Sequence, residues 1–403
     1  MAEKRIMILG GGLNQIPLFR AAKELGYQTI LCDANANVVC RAYADEFYQM
    51  DISNPTEVCE QAKKRAVNGV LSNTEALMLC LSKVQIALGL VGNHPASIEA
   101  LINKYLFRQL ERRAEVFSPS TVRTARYDEA KQQLYNFGSS VILKPEKSSG
   151  SRGTYVLEDF SDFTEAIFAD CVQWSRSGAA LLEDYVDIRN KPAIEAEMFL
   201  IDGEIKYLFM FRPIRDTKYG TIPQCYCSDT ELCNTDVARI KDVLNKLVKE
   251  AGLRWGEYNV ELSFTPQNEI FVIEINARQG GEKLPEFVHL YTGIDMNKLL
   301  VSTCMNDMQY FNSVHKKPVR INKDVIHFRI LTDKEGVLQE IFIDPSLKKY
   351  LRKSFYYHSV GDYLSVPSHS MASVGVLDFI FPDHHTRKIA EKELFTLIRP
   401  IIV

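Results

Sequence analysis

Over the first hundred residues, short aliphatic runs alternate with stretches of helical periodicity. Residues 5–9 (RIMIL), 28–32 and 69–72 have the pattern of short buried strands. Residues 14–25, 56–66 and 74–88 space their apolar side chains as helices do, and Gly10–Gly12 turns the first strand into the first helix. A further short strand is expected at Leu90–Val91. Strands alternating with helices predict a parallel, doubly wound α/β unit that ends near residue 98.

The pattern then changes. After a helix at 103–113, strands are expected at 140–144, 155–157 and 181–186, with a helix at 161–169. Ile194–Ile201 and Glu204–Phe211 flank Asp202–Gly203, a strong two-residue hairpin signal. A helix over 235–251 precedes a second hairpin, 259–265 and 270–276, with its turn at 266–269. Paired hairpins predict an antiparallel sheet and an α+β body separate from the first unit. Beyond 305, strands are expected at 325–331 and 375–381 and a helix at 386–398, with no recognisable chemistry.

Composition narrows the function class. The 403 residues are 46% hydrophobic and 25% charged, as in a globular protein, and the length suggests roughly two to four domains. With 48 Lys+Arg against 51 Asp+Glu, the net charge of −3 excludes a strongly basic nucleic-acid binder. No apolar run approaches the roughly 20 residues of a membrane span. The apolar run at 6–9 is too short for a signal peptide and ends in glycines. Nine scattered cysteines without a CxxC pair read as reduced, cytoplasmic thiols. The eight histidines form no HxxxH pattern, which disfavours a zinc enzyme.

The second hairpin carries the most chemistry. Strand alternation puts Asn259, Glu261 and Ser263 on one face, and Glu274 with Asn276 on one face of the return strand. A turn centred between Gln267 and Asn268 sets Glu261 opposite Glu274 and Asn259 opposite Asn276. Facing carboxylates repel unless a cation lies between them. Glu, Glu and Asn offer only oxygen ligands, which suits Mg²⁺. The same residues also read as the solvated face of an amphipathic hairpin.

Lys144 ends an apolar strand and leads into the small-residue loop Ser148–Gly153, whose backbone N–H groups suit phosphate, with Lys147 and Arg152 adding charge. An ordinary surface loop is the alternative, and GxxxxGK[ST] is absent. Lys104 opposes the dipole of the helix it opens, which makes sense if an anion binds there. Leu181–Val186 is an apolar strand ending in polar groups. Gly10–Gly12 with Asp33 about 20 residues on invites a dinucleotide reading. Gln15, however, stands where that fingerprint wants Gly or Ala, so a Rossmann-like unit forming one wall of a cleft is expected instead of a nicotinamide oxidoreductase.

In this order the parts resemble the ATP-grasp superfamily of carboxylate–amine ligases, in the amino-acid and peptide ligase branch, over residues 1 to about 300. The most specific piece is Val272-Ile-Glu-Ile-Asn-Ala-Arg-Gln-Gly-Gly281, followed by Pro285-Glu-Phe and Thr292-Gly-Ile-Asp295. The resemblance implies α/β and α+β architecture: a Rossmann-like domain over 1–98, then an ATP-grasp fold over 99–305 with a mobile subdomain at about 115–182. An α+β portion over 306–403 would complete the ligase body. It implies ATP contacts from Lys104, Lys144, Ser149, Gly150 and Ser151, and an adenine slot lined by Glu183, Asp184, Tyr185 and Val186. Glu261, Glu274 and Asn276 would hold Mg²⁺, with Mn²⁺ an admissible substitute. Arg278 would be catalytic, and Gly280 and Gly281 would let the acceptor carboxylate approach the backbone.

The implied partners are a small-molecule carboxylate and an amine, with neither nucleic acid nor membrane; a homodimer is compatible with the fold. The family often has Pro where Ala277 stands. The charged segment 186–192 leaves Glu195 and Glu197 unaligned. Arg212, Arg215 and Lys218 read either as greeting an anionic substrate or as a solvated basic loop. The alternatives are an ATP-grasp carboxylase, a purine-pathway-like ligase and a non-catalytic ATP-binding regulator.

Overall fold

The computed structural model describes residues 4–138, 140–148, 152–215, 222–366 and 372–403. Four parallel strands form the first sheet, in the order Glu46–Gln49, Gln28–Asp33, Arg5–Leu9, Gly69–Leu71. Ile6 and Ile8 pack on Ile16, Leu18 and Phe19 of the helix Ile16–Glu24. Met7 and Leu9 meet Val58 and Ala62 of Pro55–Lys64 on the other face. The edge strand Glu46–Gln49 was not expected, because its residues are half-buried or exposed and leave little hydrophobic pattern. Leu90–Val91 is not a strand. The Leu90 N–H bonds to the Gln85 carbonyl as part of the turn that ends the helix Met78–Ala87, with Gly89 at φ +63°.

An eight-stranded sheet is antiparallel throughout. Its order is Ile270–Asn276, Gly256–Phe264, Ile194–Ile201, Glu204–Ile214, Cys225–Cys227, Val325–Thr332, Ala372–Ile380, Leu351–Tyr356. Strands from beyond residue 305 therefore complete the sheet that the two expected hairpins begin. The two sheets are distinct but packed together: Ile8 and Phe19 share a hydrophobic cluster with Phe199, Phe211, Phe287 and Leu299. A small sheet (Thr121–Thr124, Ala180–Asp184, Val141–Pro145, Tyr155–Leu157) has its own core of Leu134, Leu143, Phe163 and Phe168.

The second hairpin reaches the expected register by another route. Glu261 pairs with Glu274 and Asn259 with Asn276, but Leu262 pairs with Val272 and Phe264 with Ile270. The turn thus centres on Gln267, half a step from the expected position. A bulge at Ile273 supplies the extra residue, so Val272 and Ile275 both reach the core while Glu274 still faces Glu261. The first hairpin turns through Asp202 and Gly203 at φ +51° and +82°. Gly203→Ala should cost about 1 kcal/mol, because an L side chain is strained in left-handed backbone. Urea denaturation measures it.

Candidate active site

Pairing across three adjacent strands aligns two polar rows. Glu195, Glu261 and Glu274 stand side by side, and Glu197, Asn259 and Asn276 form the next row. The intervening residues Ala196, Val260 and Ile275 face the core, as strand alternation requires. Asn276 donates to Glu274 Oε1 at 3.1 Å and to Asn259 Oδ1 at 3.3 Å, and Asn259 donates to Glu197 Oε1 at 3.0 Å. The rows border a cavity of about 530 Å³. Lys104, Glu195, Glu261, Glu274, Asn276 and Arg278 line it, with Arg215, Tyr226, Glu282 and Arg329 among the others.

Burial and like charge set the electrostatics. Burial pushes Glu195 up to about 7 against the pull of Arg215. Burial likewise raises Glu261 well above the carboxylate range, reinforced by Glu274. Glu274, despite its burial, stays below that range through Lys104 and bonds from Asn276 and Glu261. Behind them burial lifts Glu197 to about 7 and, reinforced by Glu197, lifts Glu257 well above its usual value. Carboxyls in such pairs share protons unless a cation replaces them. Among the described residues no cluster of three His, Cys, Asp or Glu side chains closes around one point. The donors at hand are two carboxylates and an amide, all oxygen. This fits Mg²⁺, which takes its remaining ligands from water and phosphate.

Other expected residues are distributed around this centre. Asn103 caps the helix Lys104–Arg113, and Lys104 Nζ donates to the Ser148 carbonyl at 2.8 Å. Arg278 reaches Glu75 at 3.0 Å and the Gln279 carbonyl at 2.8 Å. Lys144 is not among the residues lining this cavity; its Nζ lies 2.7 Å from Glu183 Oε2. Glu183 is only 1% exposed, its carboxylate held by Lys144 and Arg108. The backbone N–H groups of Asp184 and Tyr185 bond to Ser120 and Ser140 carbonyls, and Val186 follows, half-buried. Gly280 is required by this chain itself, since a Cβ there would meet Glu197 Oε1 at 2.3 Å; Gly281 lines the cavity. Ser149, Gly150, Ser151 and Lys218 lie outside the described residues.

Sequence reasoning missed Arg108, Glu282 and Arg329, which lie outside its hairpin and lysine motifs. It could not place Glu195 and Glu197; their period-2 spacing carries the signal, but only strand pairing gives it meaning. Of the basic loop, Arg215 lines the cavity while Arg212 bonds to Glu231 and Glu391. At the N-terminal glycines, Asp33 accepts from the N–H groups of Gly11 and Asn35, both at 2.8 Å. Gln15 ties the loop to Asn73 and Thr74.

Residues 137–286, which carry Lys144, Glu183 and both polar rows, match the family model described as an ATP-grasp domain. The chain carries an ATP-grasp domain. Its whole fold is similar to solved structures of the L-amino acid ligase from Bacillus licheniformis (TM-score 0.82, 16% identity, 100% of this chain and 99% of that one). It is also similar to phosphoribosylglycinamide synthetase from Anaerococcus prevotii (TM-score 0.76, 21% identity, 100% of both chains). In sequence it is 25% identical over 324 residues to the carbamoyl phosphate synthase large chain of Bifidobacterium adolescentis, covering 73% of this chain and 28% of that one. The chain spans half or less of the length of the curated relatives it matches.

The ATP-grasp carboxyls give a signed prediction. Groups raised to about 7 keep their protons in the folded state, while the unfolded chain releases them near the ordinary 4.5. The folded state then binds more protons, so stability falls as pH rises from about 5 to about 8. Thermal melts of the metal-free protein should show this fall. Glu261→Gln should flatten it by removing one member of the buried pair.

Proposed function

We propose that the protein is an ATP-dependent carboxylate–amine ligase. It would activate an acid as an acyl phosphate, join it to an amine and release ADP and phosphate. The observation that carries this reading is the convergence of Glu261, Glu274, Asn276, Lys104 and Arg278 on one cavity within an ATP-grasp domain. The names of the similar solved structures, a ligase and a synthetase, support it.

In this reading Glu261, Glu274 and Asn276 would hold Mg²⁺. When bound, the ion would offset negative charge on the phosphates. Lys104 and Lys144 orient the triphosphate for in-line attack by the substrate carboxylate. Arg278, braced by Glu75, stabilises charge on the transferred phosphoryl and on the acyl phosphate. The amine then attacks the acyl carbon and phosphate leaves. A second cavity of about 330 Å³, lined by Gly12–Gln15, Tyr357 and Ser373, shares Glu282 with the first and supports entry of the amine from the N-terminal loop. In this reading residues 1–98 would form one wall of the cleft and 99–305 the nucleotide site, and strands beyond 305 would complete the same large sheet. All nine cysteines are free thiols, which supports a cytoplasmic setting; no helix among the described residues is long and apolar enough to cross a membrane.

Phosphate release from Mg-ATP is the direct assay, run with pooled amino acids and small carboxylic acids. Release should require one acid and one amine, and Glu274→Ala should lower it at least about 100-fold. A chain that binds no Mg-ATP contradicts the reading.

A further inference from the structure

Arg108 is one of the two largest fully buried side chains, on the helix Lys104–Arg113, and no motif singled it out. It lies between two sheets. Its Nη1 donates to the Val272 carbonyl at 3.2 Å and Nη2 to the Ile273 carbonyl at 3.1 Å, the two residues at the hairpin bulge. Its Nε faces both oxygens of Glu183 at 3.3 Å, on the small sheet, and Glu183 in turn takes Lys144 Nζ. Glu111 accepts from Nη1 at 2.9 Å.

A bulge takes backbone groups off the ladder, and buried carbonyls without donors are costly. The bulge at Ile273 is what sets Glu274 opposite Glu261. We propose that Arg108 is a positioning residue that holds two parts of the site in one geometry. It caps the bulge that registers the carboxylate row, and it anchors the Glu183–Lys144 pair of the small sheet to that row. The five N–H donors of the planar guanidinium fork reach two adjacent carbonyls and two carboxylates at once; the three donors of an ammonium, all on one nitrogen, cannot serve all four. Its importance for the reaction rests on the ligase reading; the structural coupling does not.

Hydrogen exchange on the full chain without nucleotide tests the coupling, comparing wild type with Arg108→Lys and Arg108→Met. Both substitutions should speed exchange about tenfold or more in two segments distant in sequence, 270–276 and 141–145. Arg5–Leu9 and Gln28–Asp33 should keep wild-type rates. Acceleration confined to Lys104–Arg113, spread over every sheet, or fully rescued by Arg108→Lys would overturn the proposal.

The pH profile of Lys144 acylation separates lost charge from loosened packing when Arg108→Met is compared with Arg108→Lys, because packing loss moves both variants and charge loss only the first. Burial, with a smaller push from Arg108, holds Lys144 down to about 8 against the pull of Glu183. In Arg108→Met the midpoint should rise further than in Arg108→Lys; midpoints that move equally in the two variants count against the role. Mg-ATP binding measured on the same wild-type sample separates the two claims. Its absence refutes the ligase reading, while the exchange rates still decide on Arg108.

Discussion

Carboxylates buried side by side cannot all carry charge, and this constraint organises the molecule. Glu195, Glu261 and Glu274 stand in one row, with Glu197 and Glu257 close behind. Burial in low dielectric and mutual repulsion both disfavour ionisation. Such an array persists where protons or a cation hold it together. An interior built for stability alone would use apolar side chains of similar volume. The clustering of raised carboxyls around a cavity with Lys104, Arg215, Arg278 and Arg329 therefore points to chemistry.

The surrounding fold serves that row. Strand alternation sends Ala196, Val260 and Ile275 into the core and the acids toward the cavity. The bulge at Ile273 corrects the register that the turn alone would give. The short helical turn Glu75–Leu77 that follows the strand Gly69–Leu71 contributes Glu75, which braces Arg278, and the strands beyond residue 305 contribute Arg329. The small sheet reaches the row through Lys144, Glu183 and Arg108, while its apolar residues form a core of their own.

Much of this was legible in the residues. Period-2 spacing and Asp202–Gly203 gave the two hairpins, and the pairing of Glu261 with Glu274 followed from them. That agreement was partly fortunate, since turn and bulge differ from the expected path by compensating amounts. Local chemistry could not reveal long-range pairing. Glu195 and Glu197 have meaning only once their strand lies beside Gly256–Phe264. Arg108 reads as a surface residue of a polar helix until two sheets close over it. Leu351–Tyr356 and Ile398–Ile402 escaped because their side chains are mostly exposed or half-buried and lack an apolar alternation. Glu183 was legible as a polar residue ending an apolar strand, but its partners were not.

The central claim is that protons hold the acidic row together and that a nucleotide-bound cation replaces them. Calorimetry of Mg-ATP binding at pH 7, in two buffers of different ionisation enthalpy, measures the protons exchanged. The account predicts a net release of about one proton per nucleotide bound, since carboxyl ligands must ionise to take the cation. Release should shrink in Glu261→Gln. Binding with no net proton release would contradict the account.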